Sequence, residues 1–310
     1  MRFHLLILIQ ILPWLGFSQK TAIDFHDEGV MFSEKGSQVL FYRTKSDPSQ
    51  GEYQRPHYIH PLYSLDGEIM TEDYPEDHLH HHGIFWAWHQ LYIGEKRIGD
   101  GWENRDFKWT ILSVEEEKID GPAKRIVSKV KWTSPLWTDD AGVEVPFVSE
   151  TTKITVHPQD RAYRLIDIEI SILALEPKVR IGGSEDAKGY GGFSPRIKLP
   201  KDIRFSDKTG AVVPQTTPVD GNGWLDISGA MGRDGAQSGL SILSHPDNPG
   251  YPNPWIMRSK RSMQNAVYPY PGATPVPIST EEPTILKYRL IIHSGLKSSE
   301  IDRLHKQYCQ

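Results

Sequence analysis

The sequence predicts an all-β fold, a large antiparallel β-sandwich with a short C-terminal helix. Three observations predict it. Apolar and polar residues alternate over long runs, turn-forming residues separate those runs, and a single stretch carries a convincing helical repeat.

A strand turns successive side chains to opposite faces, so alternation buries one face and leaves the other wet. In Arg125–Trp132 the buried face is Ile126, Val130 and Trp132, and in Lys153–Pro158 it is Ile154 and Val156. Arg164–Ile172 is the clearest case, with Ile166, Ile168, Ile170 and Ile172 on one side and Asp167, Glu169 and Ser171 on the other. Ile285–His293 repeats the pattern near the end of the chain. Asp66-Gly67, Asp120-Gly121-Pro122, Ala141-Gly142, Lys208-Thr209-Gly210 and Asp220-Gly221-Asn222-Gly223 supply the turns. The helix is expected over Ser298–Tyr308, capped by Ser299 with Asp302 three residues on, and striped by Ile301, Leu304, His305 and Tyr308.

Two proline-rich segments, His245–Trp255 and Tyr268–Pro277, carry interleaved aromatics that a flexible spacer lacks, so they are expected as ordered loops on one rim. With no repeat or linker, residues 19–310 are expected to form one domain. Residues 1–18, with Arg2, an apolar run from Leu5 to Leu15 and then Gly16-Phe17-Ser18, have the pattern of a secretory signal peptide, which places the mature protein in the periplasm or outside the cell. The run is too short for a membrane span. The one cysteine, Cys309, forms no intramolecular disulfide, so stability must come from core burial. A net charge of −5, with acids and bases interspersed, leaves no basic stripe for nucleic acid and no polybasic membrane patch.

Seven of the thirteen histidines fall between Arg55 and Gln90. Imidazole is the side chain best placed to move a proton near neutral pH, and when neutral it is a metal ligand. If residues 78–82 are extended, His78, His80 and His82 share one face and His81 takes the other. Downstream, Asp100, Trp102 and Glu103 lie on a GDGW turn that a hairpin would fold back beside the histidines. The glycine-rich segment around Glu185, Asp186, Tyr190 and Arg196 lacks both the dinucleotide fingerprint and the P-loop ending, and Arg196 offers a forked contact to an acid or a hydroxyl pair. Aromatics in loops, chiefly Trp255 and Tyr251, are candidates for stacking on sugar rings. There is no G-x-S-x-G, HExxH or paired-cysteine site.

Through RPHYIHPLYSLDGE, EDHLHHHGIFWAW, GDGW, KGYGGFSPR, SHPDNPGYPNPW and YRLIIHSG, nearly the whole mature chain resembles a family of bacterial proteins labelled "methane oxygenase PmoA-like". That resemblance implies a D-H-x-H-H-x-G motif on Asp77, His78, His80, His81 and Gly83, with His82 outside it. It also implies a galactose-mutarotase-like supersandwich and a setting in sugar degradation. The oxygenase label itself describes a membrane protein, which this pattern of hydropathy does not match.

Together these features predict an exported carbohydrate-active enzyme that cleaves a glycosidic bond, by hydrolysis or elimination, with epimerisation as a lesser option. His80 or His81 moves the proton and Glu103 orients it or acts as a second acid. Arg55, His60, Trp86, Tyr190, Arg196, His245 and Trp255 hold the sugar or oligosaccharide. No cofactor is expected. One alternative is a copper-dependent oxidoreductase, or one using another divalent metal, with His78, His80 and His60 as ligands; another is a non-catalytic carbohydrate-binding module. The catalytic reading requires the imidazoles to gather at the mouth of one cavity.

Overall fold

A computed structural model describes residues 21–310, and the leader read over residues 1–18 lies outside the described residues. Two nine-stranded antiparallel sheets carry the chain, with a four-stranded sheet beside them. All four alternating runs fall in the second large sheet, as Lys124–Thr133, Val148–Val156, Tyr163–Ala174 and Thr284–His293. Their register converts sequence alternation into a layer. Ile126 pairs with Ile154, Ile154 with Ile168 and Ile168 with Tyr288, and all four are fully buried. Each such aliphatic side chain contributes about 1.5–3 kcal/mol by leaving water. One residue along, Lys153 faces Glu169 across the same strands and pairs with it at 3.0 Å on the wet side.

The first large sheet reads differently because its central strand is covered on both faces. Ile84–Trp88 is buried at every position, so Trp86 and Trp88 are core residues. A polar network joins the two sheets. The buried Glu150 accepts from His57 Nε2 at 2.6 Å, Trp86 Nε1 at 2.7 Å, Trp132 Nε1 at 2.8 Å and Thr152 Oγ1 at 2.7 Å. Tyr42 in turn bonds His57 Nδ1 at 2.6 Å and Ser128 at 2.9 Å. A carboxylate this deep is tolerated because both oxygens meet donors, three at Oε1 and one at Oε2.

The helix spans Ser298–Tyr308 as expected, but its cap is Lys297, two residues before the Ser299 predicted for it. Glu300 accepts from the Lys297 amide at 3.0 Å, while Asp302 pairs with Lys306 at 2.7 Å instead of serving the cap. Ile301 and Leu304 pack on Trp224, Leu243 and Ile291.

The four-stranded sheet positions the chemistry. Gln90–Ile93 and Lys96–Gly99 form its hairpin, with Leu91 opposite Gly99. His89 immediately precedes the hairpin and Asp100 immediately follows it, so closure of the turn brings the two side chains together.

Candidate functional site

Residues 78–81 form a turn and not a strand, with the His81 amide donating to the His78 carbonyl at 2.9 Å. This overturns the two-face picture and replaces it with a cluster. His78 and His81 stack at 4.5 Å with planes 5° apart, and His80 stands edge-on to His81 at 4.6 Å. His82 leaves the cluster, its Nδ1 on Asp73 at 2.8 Å and its Nε2 on the Tyr53 carbonyl at 2.9 Å. Both ring nitrogens therefore face acceptors and neither is free for a substrate. Gly83 makes the exit from the turn at φ +41°, where a Cβ would sit 2.1 Å from the Ile59 carbonyl.

Arg196 anchors the turn from beneath. Its guanidinium reaches Glu72 at 2.7 Å, both Asp77 oxygens at 2.9 and 3.1 Å, and His81 Nδ1 at 3.2 Å. Expected as a substrate clamp, it is instead committed to protein carboxylates. Its donation to Nδ1 leaves the proton of neutral His81 on Nε2. Burial, with positive neighbours adding to it, pushes the His81 imidazole far below its ordinary pKa. Burial and the charges of His78, His89 and Arg55 likewise bring His80 down to about 4, so it is neutral at pH 7.

The carboxylate partner is Asp100 and not Glu103. His89 Nδ1 donates to Asp100 Oδ2 at 2.9 Å, and the other oxygen accepts the Trp102 and Glu103 amides, each at 2.9 Å. Burial favours the neutral acid at Asp100, but the His89 hydrogen bond and charge outweigh it and hold the carboxyl below its usual range. With Nδ1 committed to Asp100, Nε2 is the His89 ring nitrogen left without a protein partner among the described residues. Glu103 meanwhile pairs with Arg105 on the surface.

Aromatics close the site. Trp102 stacks on His89 at 5.1 Å, meets His81 edge-on at 6.3 Å and packs on Tyr190 at 5.5 Å. The Tyr190 hydroxyl accepts from Arg258 Nε at 2.9 Å, and Tyr53 lies 6.4 Å from His80. Arg55 is wedged between Phe85 and Trp109, 4.3 and 4.2 Å from their ring centres, and donates to the Gly101 carbonyl. It positions the Asp100 turn and does not reach outward.

Four residues expected at the site are placed elsewhere. Trp86 belongs to the Glu150 network, and Trp255 is fully buried against Gly221. His245 faces Asp247 and Tyr308 beside the C-terminal helix. His60 bonds Thr71 at 2.9 Å next to the Asp73–His82 pair. His60, His78 and His80 thus do not converge, and among the described residues no group of three or more His, Cys, Asp or Glu is arranged to hold a metal ion. His60 is held by Thr71 beside Asp73 and His82, apart from the His78–His80 pair. The ligand set proposed for a metal oxidoreductase does not fit.

The imidazoles gather, but an open cleft of about 700 Å³ beside them is lined by their neighbour Asp77 and by Glu72, Arg196, Lys260 and Arg261, not by the rings.

Residues 29–306 match the model of a family of unknown function, DUF6807. The chain belongs to that family. The methane-oxygenase label suggested by the sequence motifs does not appear among the matches. The DUF6807 chain is similar to the GH36 α-galactosidase AgaA of Geobacillus stearothermophilus, at 8% identity and TM-score 0.40, over 89% of this chain and 41% of that one. It is also similar to a mutant of the heparan sulfate lyase HepC of Pedobacter heparinus, at 9% identity and TM-score 0.34, over 89% of this chain and 35% of that one. The DUF6807 chain therefore spans well under half the length of either enzyme. No curated protein sequence matches it.

Proposed function

We propose that the protein is an exported carbohydrate-active enzyme that cleaves a glycosidic bond by proton transfer between imidazoles. The observation that carries this reading is the His89–Asp100 pair, joined to the neutral His80 through Trp102 and His81. His89, oriented by Asp100, removes a proton through Nε2. His80, neutral at working pH, donates an N–H hydrogen bond that polarises the leaving oxygen, and that oxygen takes its proton from the imidazolium formed at His89 or from water. The half-buried Tyr190 offers a ring face for the sugar, backed by the buried Trp102.

Elimination fits the site better than hydrolysis. Hydrolases of glycosides commonly use two carboxyl groups, about 5–9.5 Å apart across the bond. Here Asp100 is occupied by His89 and two amides, and Glu103 by Arg105. In the proposed step the proton leaves the carbon next to the bond, its electron pair forms a C=C bond, and the C–O bond breaks as the oxygen takes a proton.

The test incubates the purified protein with a panel of plant and algal oligosaccharides and weighs the products. Products that sum to the mass of the substrate and absorb in the ultraviolet as unsaturated sugars support elimination. Products heavier by one water, or turnover unchanged in His89→Ala and His80→Ala, overturn it.

A further inference from the structure

Strand Tyr58–Leu62 has the histidine turn and the Asp100 turn toward its first residue. Off its other end, the chain continues through Tyr63–Gly67 into the wall of a second cavity, of about 910 Å³. Separate loops frame it: the hairpin turn after Glu34, the turn Ser64–Gly67, the segment from Gln159 to Arg164, and the short turn beginning at Arg233.

The floor is an ion pair between Arg164 and Glu34, whose side chains are 5% and 3% exposed. Glu34 Oε2 also accepts the Gln159 amide at 3.0 Å, yet Glu34 Oε1 and Arg164 Nε have no hydrogen-bond partner among the described residues. Underpartnered polar atoms at this depth are costly, and sites that keep them are commonly completed by a ligand or water. Around the rim stand Lys35, Arg161 and Arg233, all exposed and none in an ion pair among the described residues. The remaining carboxylate, Asp66, is engaged by Ser64 and by the Arg233 amide. Four cations thus surround two carboxylates, Asp66 and the half-satisfied Glu34, in a protein of net charge −5. Such a basin gathers anions, and forked guanidinium donors match carboxylate or sulfate oxygens. Gln38 adds a neutral donor and acceptor, Gln159 adds the one amide N–H left after it donates to the Arg161 carbonyl and accepts from Arg164, and Tyr63 adds a flat ring.

We propose that this cavity is a second binding site, for an acidic saccharide. The carboxylate or sulfate group sits among Lys35, Arg161 and Arg233, and the hydroxyls meet Gln38, Gln159 and the Glu34–Arg164 floor. The site stands independently of the imidazole chemistry, because it shares no residue with it.

Titration calorimetry of the full chain tests this with three probes: digalacturonate, its neutral counterpart galabiose, and inorganic sulfate. Digalacturonate is expected to bind about tenfold or more tightly than either of the others, and to weaken about tenfold or more in an Arg161→Ala/Arg233→Ala variant. His80→Ala is expected to leave that binding unchanged. Both arginines are exposed, and an unchanged melting temperature verifies folding; Lys35→Glu on its exposed turn is the second variant, with the same loss expected. The proposal is overturned if digalacturonate does not bind, if galabiose or sulfate binds as tightly, if the rim variants bind as the parent does, or if His80→Ala alone abolishes binding.

Discussion

His89 Nδ1 and Asp100 Oδ2 stand 2.9 Å apart at the two ends of one β-hairpin. A short-range device, a turn at Gly94 with φ +59°, thereby fixes a long-lived relation between a base and the group that orients it. The carboxylate engages Nδ1 and leaves Nε2 without a protein partner among the described residues, the arrangement in which an imidazole accepts a proton without losing its place.

Asp100→Asn tests the pair at nearly constant shape. An amide nitrogen facing Nδ1 cannot accept, so the ring turns to the other tautomer. The expected result is a fall in kcat of about 10²–10⁴ with KM changed by less than about threefold. Steady-state kinetics on the oligosaccharide found by product mass would measure it. An unaltered kcat alongside a lowered melting temperature would reduce Asp100 to a turn-forming residue.

His80 gives the protein an acid-sensitive element. Its pKa is about 4 in the folded chain and 6.5 in the unfolded chain, so below pH 6.5 the unfolded state binds the extra proton. The stability tied to neutral His80 is fully present above pH 6.5 and is lost as pH falls through about 4. Screening at this partly exposed ring limits the effect to the order of 2 kcal/mol. Urea denaturation of the parent and of His80→Gln, at pH 7 and pH 4, should show the parent losing more stability; parallel losses would remove His80 from the account.

The second large sheet was legible because half-buried strands write their burial into sequence alternation, as Ile166, Ile168, Ile170 and Ile172 do. The first was not, because Ile84–Trp88 is buried on both faces and loses the alternation. That loss also made Trp86 look like a binding residue, while the prolines around Trp255 hid the buried strand Pro254–Ile256 behind a loop pattern. In the site, the histidine cluster and the folding-back of the GDGW turn were readable from local pattern. His89 was missed, although its place eleven residues before Asp100, across a Gly-Glu turn, was the available signal. The Arg196 partners could not be read, since they lie 119 and 124 residues away and nothing local marks them.

Glu150→Gln tests the network between the sheets. The parent carboxylate accepts four donors, and an amide nitrogen in place of either oxygen would confront an indole N–H or the His57 ring. Breaking a buried charge pair this way is expected to cost about 3–5 kcal/mol. Chemical denaturation at pH 7 checks it; a loss below about 1 kcal/mol would mean that the core adjusts around the amide.

Arg196 separates two roles that the sequence alone confuses. A guanidinium that grips substrate and one that holds the histidine turn both look essential to activity, but they differ in which constant they move. Arg196→Lys keeps the charge and loses the fork, so one ammonium must choose among Glu72, Asp77 and His81. If Arg196 is an anchor, the turn loosens, His80 and His81 lose their mutual geometry, and kcat falls while KM stays near the parent value. Stability should fall as well, by about 1–3 kcal/mol, because a 3% exposed cation loses part of its pairing. A clamp predicts the opposite division, with KM raised and stability untouched. The anchor reading follows from the distances: both faces of the Arg196 fork are already filled by protein carboxylates, leaving no pair of donors for a sugar acid. Kinetics and thermal melting on the same Arg196→Lys sample decide between them.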